Sequence, residues 1–166
     1  MHNKTERTKY KYAPLENGAF YFPTDDGFNF VVEIEKSGYK LWQSDYLLNY
    51  DNIFSIEFER SADVGINLTS YDKSTCDTIL KIISSKIESN GECCVYYHHW
   101  VDDSFRDELY DTFYDELEGV IPEYEGFEFP WVDENGEDRI TSVFVNKTNS
   151  DKAIIVYEFK TAVGCE

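Results

Sequence analysis

The sequence predicts a single α+β domain in which a mainly antiparallel sheet carries two helices on one face. Short segments alternate between apolar and polar residues, which is typical of strands with one buried face. Two longer segments place apolar residues three and four positions apart, as amphipathic helices do. The dipeptide Asn135-Gly136 lies between two strand-like segments and is a strong hairpin signal. These three observations set the fold class.

The chain divides into a leader and one domain. Residues 1–18 are expected to form a flexible basic leader, because they carry Lys4, Arg7, Lys9 and Lys11 and end at the turn pair Asn17-Gly18. Residues 19–166 contain all the periodic segments and have the size of one domain. We therefore expect a single α+β domain over 19–166.

Three strands are predicted in the first part of the domain. Ala19–Thr24 and Phe28–Lys36 flank the turn residues Asp25-Asp26-Gly27 and should pair as a hairpin. In the second of them, aromatic and aliphatic residues occupy every other position from Phe28 to Ile34. Asn52–Arg60 repeats the alternation, so it should add a third strand with one apolar face.

The period then changes to that of a helix. Ser74–Glu88 has its apolar residues at helical spacing and should form the first helix, followed by a short strand over Glu92–His98. The second helix is expected over Asp103–Glu118, where Phe105, Leu109, Phe113 and Leu117 recur every four residues.

Three strands are predicted to close the domain. Phe127–Glu134 and Glu137–Asn146 flank the Asn135-Gly136 turn, and Ala153–Lys160 is expected to supply a last strand after the turn Asn149-Ser150-Asp151. The predicted order of elements is therefore β-β-β-α-β-α-β-β-β.

The net charge argues against two classes of binding partner. The chain has 33 acidic and 15 basic residues, a formal net charge of −18, which argues against direct binding to nucleic acid or to an anionic membrane. No apolar run approaches the ~18 residues of a membrane span. The four cysteines show no framework spacing, so a reducing, cytoplasmic location is expected.

Short motifs along residues 19–160 resemble a domain-of-unknown-function family of uncharacterised proteins from Bacteroides-type bacteria. The motifs are Phe20-Tyr21-Phe22-Pro23-Thr24 with Gly27 and Phe30, Asp72 with Thr78-Ile79 and Ile82-Ile83, Tyr97 with Asp103, Arg106 and Phe113, and Lys147, Asn149 and Tyr157-Glu158-Phe159. The resemblance implies a shared fold, with the last motif in a final hairpin. It implies no activity, since none is established for that family.

The second predicted helix is the strongest candidate for a functional surface. From Trp100 to Asp138 there are fifteen acidic residues and a single basic one, Arg106. The candidate binding residues are Asp107, Asp111, Asp115, Glu108, Glu118, Tyr110 and Tyr114. Acidic side chains with tyrosine anchors are typical of surfaces that bind a basic protein. A solvated helix face explains the same charges without a partner.

These residues lead to the hypothesis of a non-enzymatic binding module for a basic protein, similar to an immunity protein or to a nucleic-acid mimic. The alternative is a small metal-dependent enzyme at His98, His99, Asp102 and Asp103, since imidazole and carboxylate groups are metal ligands and proton carriers. No phosphate-binding or nucleophile-elbow motif occurs, so no cofactor is predicted. The oligomeric state and the identity of a partner are not indicated.

Overall fold

The computed structural model describes residues 10–25, 27–36, 44–50, 52–62, 73–90, 94–100 and 105–164. Side chains are described for these residues except at 36, 61, 62, 73, 90, 98–100 and 105–109. Within this part of the chain there are seven strands and four helices. The strands are β1 (Ala13–Pro14), β2 (Phe20–Pro23), β3 (Phe28–Lys36), β4 (Ile53–Ala62), β5 (Cys94–Trp100), β6 (Tyr124–Val132) and β7 (Asp138–Asn146). The helices are α1 (Asp45–Leu48), α2 (Lys73–Asn90), α3 (Phe105–Val120) and α4 (Lys152–Ala162).

All seven strands join one mixed sheet in the order β1-β2-β3-β4-β5-β7-β6. Every neighbouring pair is antiparallel except β4 and β5, which run parallel. Helix α2 lies between those two strands in the chain and returns it to the same end of the sheet, as a parallel neighbour requires. Strand β7 takes the place beside β5, and β6 therefore lies at one edge of the sheet.

Helices cover both faces of the sheet, because the central strands are apolar on both sides. On β5, Val95 and Tyr97 belong to the larger core under α2 and α3. Their neighbours Cys94 and Tyr96 belong to a second core under α1 and α4. All four side chains are nearly inaccessible, so β5 alternates between two buried faces rather than between core and solvent.

The predicted fold is therefore wrong in its order of elements and in the size of its sheet. The two predicted helices, α2 and α3, do share one face, but α1 and α4 cover the other face, which the prediction left without helices. The structure is α+β overall, with a mixed, mostly antiparallel sheet and helices on both faces. Two elements were not expected from the sequence. Strand β1 has only two residues, and α1 has only four. Ser44 caps the start of α1, since its hydroxyl accepts a hydrogen bond from the Leu47 N–H at 3.2 Å.

The segment predicted as the last strand is helix α4. Ile155 and Phe159 are buried four residues apart, whereas Tyr157 between them is 65% exposed. A strand would place all three on the same face, but a helix separates them. The turn residues before this segment start the helix, since the Asn149 side chain accepts a hydrogen bond from the Asp151 N–H at 2.8 Å. The final hairpin that the family resemblance implied at Tyr157-Glu158-Phe159 is thereby also wrong.

Residues 10–18 fall within the segment predicted as a leader, and the structure attaches them to the domain. Strand β1 pairs with β2, with Ala13 opposite Tyr21. The Tyr10 ring stacks on Phe22 at a centroid distance of 6.0 Å, and its backbone N–H donates to the Thr78 hydroxyl of α2 at 2.9 Å. The remainder of the predicted leader, residues 1–9, lies outside the described residues.

Candidate functional site

Helix α3 presents one apolar face to the sheet and one acidic face to solvent. Phe113 and Leu117 are fully buried in the larger core, one helical turn apart. Asp111, Asp115 and Glu118 lie on the other side and are exposed. The spacing that places apolar residues inward thus places these three carboxylates outward. The side chains of Asp107 and Glu108, two more of the candidate binding residues, lie outside the described side chains.

Tyr110, one of the two candidate anchors, belongs to the core. Its side chain is 7% exposed, and its ring lies 4.8 Å from the rings of both Phe58 and Tyr97. The Tyr97 hydroxyl donates a hydrogen bond to the Tyr110 backbone carbonyl at 3.3 Å. Burial raises the pKa of Tyr97 well above its usual value, so this hydroxyl keeps its proton. Tyr110 therefore stabilises the packing of α3 and is not available as a surface anchor.

Tyr114, the second candidate anchor, is half-buried between α3 and the edge strand β6. Its ring packs against Phe144 at a centroid distance of 5.4 Å. It also lies directly over Gly126 of β6, where a Cβ would come within 3.1 Å of the Tyr114 ring. A glycine is needed at that point because the ring occupies the space of a side chain. The tyrosine is thus held by contacts on both sides while part of it remains accessible.

Carboxylates from two elements gather around this tyrosine. The pKa of Tyr114 is raised, first because the phenol is partly removed from water and then by the negative charges of Glu128, Glu118, Asp115 and Glu125. Two of these groups come from α3 and two from β6. We call Asp111, Tyr114, Asp115, Glu118, Glu125 and Glu128 the α3–β6 surface.

Two carboxylates of the α3–β6 surface are already engaged within the protein. Glu118 accepts a hydrogen bond from the Gly126 N–H at 3.2 Å. Glu125 forms an ion pair with Lys152 of α4 at 2.9 Å. That pair is well exposed on both sides, so it contributes little to stability. Asp111 and Asp115 are exposed on the adjoining helix and are the natural residues to neutralise in a test of this surface.

The residues of the metal-site hypothesis are only partly described. His98 and His99 are in β5, where their backbones pair with Thr141 and Ile140 of β7. Their side chains lie outside the described side chains, and Asp102 and Asp103 lie outside the described residues altogether. The structure therefore does not bring these four residues together or separate them, and the metal site stays a prediction.

A second acidic cluster, not expected from the sequence, lies on strands β3 and β4. Glu33 is directly opposite Glu57, and Val31 is directly opposite Glu59. The pKa of Glu33 is raised, first by desolvation and then by the charges of Glu35, Glu57 and Glu59. The alternation in each strand indicates outward-facing glutamates, but only the register between the strands shows that they face one another. This cluster destabilises the ionised sheet, because like charges directly opposite each other repel.

The described cysteines do not have the features of reactive thiols. Cys76 and Cys94 are both free and buried. Burial raises the pKa of the Cys76 thiol to about 12, with further contributions from Glu116 and Asp77. The Cys76 Sγ lies 4.0 Å from the Glu116 carboxylate. A neutral thiol in this position acts as a small apolar side chain.

No family model, curated protein or solved structure matches this chain. The family resemblance of residues 19–160 accordingly stays an expectation. Among the residues that the structure describes, no helix combines the length and apolar character needed to cross a membrane.

Proposed function

We propose that the protein is a non-enzymatic binding module that receives a basic protein partner on the α3–β6 surface. The observation that carries this proposal is the placement of Tyr114, which lies half-buried among carboxylates from two packed elements. A partly buried, conformationally restricted aromatic side chain within a charged rim is the usual composition of a protein-binding hot spot.

The charge of the chain supports a basic partner. The segment from Trp100 to Asp138 has a net charge of −14 out of −18 for the whole chain, so its negative potential is concentrated on and around α3 and β6. Such a field accelerates the encounter with a positively charged surface and repels acidic proteins and nucleic acids. An immunity protein that blocks a basic toxin, or a mimic of nucleic acid that occupies a basic groove, would have this charge distribution.

The rigidity of the surface also supports this function. Tyr114 is held by Gly126 and Phe144, and Glu118 is fixed by its hydrogen bond to the β6 backbone. Side chains that are already ordered lose less conformational entropy when a partner binds. By contrast, the exposed carboxylates Asp111 and Asp115 supply charge without a fixed geometry, which suits steering rather than catalysis.

Affinity capture from a lysate of the source cells tests the proposal. Wild-type protein and the variant Asp107→Asn/Asp111→Asn/Asp115→Asn are immobilised side by side at low salt, and bound proteins are released by a salt gradient. We expect a basic protein that elutes sharply from the wild type and is depleted on the variant, because screening weakens a charge-dominated contact. Equal capture on both would exclude α3 as the docking element.

A further inference from the structure

The edge strand β6 is closed to the addition of another strand, although it lies at the border of a seven-stranded sheet. In an antiparallel strand, alternate residues direct their N–H and C=O groups toward the neighbour or away from it. The ladder between β6 and β7 is regular from Tyr124 opposite Asn146 to Val132 opposite Asp138. The Lys147 N–H donates to the Glu123 carbonyl at 2.8 Å, so the odd-numbered positions face β7. Five β6 residues therefore direct their backbone groups outward: Tyr124, Gly126, Glu128, Pro130 and Val132.

Three of these five positions offer no donor to an incoming strand. The Tyr124 N–H donates to the Ile121 carbonyl at 2.9 Å, within the turn that enters the strand. The Gly126 N–H donates to the Glu118 carboxylate of α3 at 3.2 Å. Pro130 has no N–H. The two positions left, Glu128 and Val132, lie on either side of the proline, so consecutive donors are not presented.

We propose that Glu118 and Pro130 keep this edge from accepting a further strand, and that the partner of the α3–β6 surface is consequently a folded basic surface rather than an extended peptide. Partners that add a strand to a sheet obtain their affinity from backbone hydrogen bonds along the edge. Here three of the five outward positions offer no donor, so an added strand would form few of those bonds and recognition goes through side chains. The statement about the partner rests on the proposed function, whereas the closure of the edge does not.

Residues of the α3–β6 surface accordingly have different roles. The Glu118 carboxylate accepts a hydrogen bond from the Gly126 N–H and so protects the edge of the sheet. Asp111 and Asp115 are exposed on the helix and are docking residues. Exposed sheet edges are templates for aggregation, and natural proteins protect them with prolines and with covering elements. The opposite edge follows the same pattern, since the two-residue strand β1 ends in Pro14.

Two variants test the closure. In Glu118→Ala, hydrogen exchange at the Gly126 amide should become about tenfold faster, since a hydrogen bond to a charged acceptor is lost. In Glu118→Ala/Pro130→Thr, two outward donors become accessible, and light scattering with size-exclusion chromatography should show concentration-dependent assemblies. The matched control is Glu123→Ala, which removes another exposed carboxylate, just before β6, and leaves the Gly126 N–H bonded to Glu118.

The outcomes separate this inference from the proposed function. If hydrogen exchange at the Gly126 amide were as slow in Glu118→Ala as in Glu123→Ala, Glu118 would not protect the edge, even if the double variant did not fold. A double variant that is folded by circular dichroism and stays monodisperse would overturn the protection of the edge as well. Docking is tested separately on Asp111→Asn/Asp115→Asn, which keeps the Glu118 contact with the Gly126 N–H: lost capture with unchanged Gly126 exchange supports both assignments, and retained capture would overturn the docking role.

Discussion

Replacement of Gly126 by alanine should destabilise the protein, although alanine is the better residue in most strands. The added Cβ would lie 2.9 Å from the Phe144 Cε1 atom and 3.1 and 3.2 Å from two ring atoms of Tyr114. Carbon atoms pack best at about 3.5–4.0 Å, so all three contacts are too short. Phe144 is completely buried and cannot move aside without disturbing the core. The conflict must therefore be relieved by displacing Tyr114 or the strand itself.

The expected magnitude follows from two opposing contributions. Overpacking of a well-packed site costs about 1–3 kcal/mol. Alanine recovers about 0.5–1 kcal/mol of that cost, because it loses less backbone entropy on folding than glycine. With the middle of each range, the free energy of unfolding should fall by about 1 kcal/mol, which lowers the melting temperature by roughly 2–4 °C for a chain of this size.

A second glycine provides the control. Gly119 lies near the end of α3, and no atom lies within 4 Å of a Cβ added there. Gly119→Ala should leave stability unchanged or raise it by up to about 1 kcal/mol, because alanine favours helix. Urea denaturation measures the free energy of unfolding of both variants against that of the wild type. If Gly126→Ala were as stable as wild type, the close approach of Tyr114 and Phe144 to β6 would be refuted, and with it the fixed position of Tyr114.

Three further predictions concern other parts of the molecule. In a urea titration, Phe159→Ala should lower the free energy of unfolding by about 3–5 kcal/mol and Tyr157→Ala by less than about 0.5 kcal/mol, because α4 buries only Phe159. Equal losses in the two variants would indicate a strand. Glu33→Gln should stabilise the protein at pH 7 by about 0.2–1 kcal/mol by removing repulsion from Glu57. The folded-state pKa of Glu33 is raised, so the wild type regains this stability as the pH falls through that pKa. The difference in stability between wild type and Glu33→Gln should therefore vanish in acid. A difference that does not change with pH would contradict charge repulsion at Glu33. Cys76, with a pKa of about 12, should resist iodoacetamide at neutral pH until urea is added, as peptide mapping would show; labelling of the native protein would disprove its burial.

Sequence patterns predicted local structure well where one periodicity was dominant. The alternation in β3 and β4 and the four-residue spacing of α2 and α3 identify those elements to within a few residues, and the β6–β7 hairpin turns at Asn135-Gly136, with Gly136 at a φ of 79°. The failure at α4 has a physical cause. A short run of β-branched and aromatic residues fits a buried strand and a helix that is apolar on most sides equally well. Only the packing of Ile155 and Phe159 under the sheet decides between them.

The candidate surface was predictable in its charge but not in its anchors. Tyr110 and Tyr114 are one turn apart and flank the same apolar stripe, so sequence spacing cannot show that the first lies in the core and the second at the border. The contribution of β6 was not predictable either. It requires the sheet order, which places β6 at the edge beside α3, and the register, which directs the Gly126 N–H toward Glu118. Such long-range relations are not encoded in a local pattern.

The most direct test measures how a basic protein, once captured by the wild type, binds three forms of the protein across a series of salt concentrations. These are wild type, Asp111→Asn/Asp115→Asn, and the control Glu134→Gln/Glu137→Gln, which removes equal charge at the exposed β6–β7 turn. Two exposed ion pairs contribute about 0.4–2 kcal/mol, so the α3 variant should bind about 2- to 30-fold more weakly at low salt, with the difference shrinking as salt is added. The control should bind as wild type does. Equal weakening in both variants would show that only net charge matters, and it would contradict a docking site on α3 and β6.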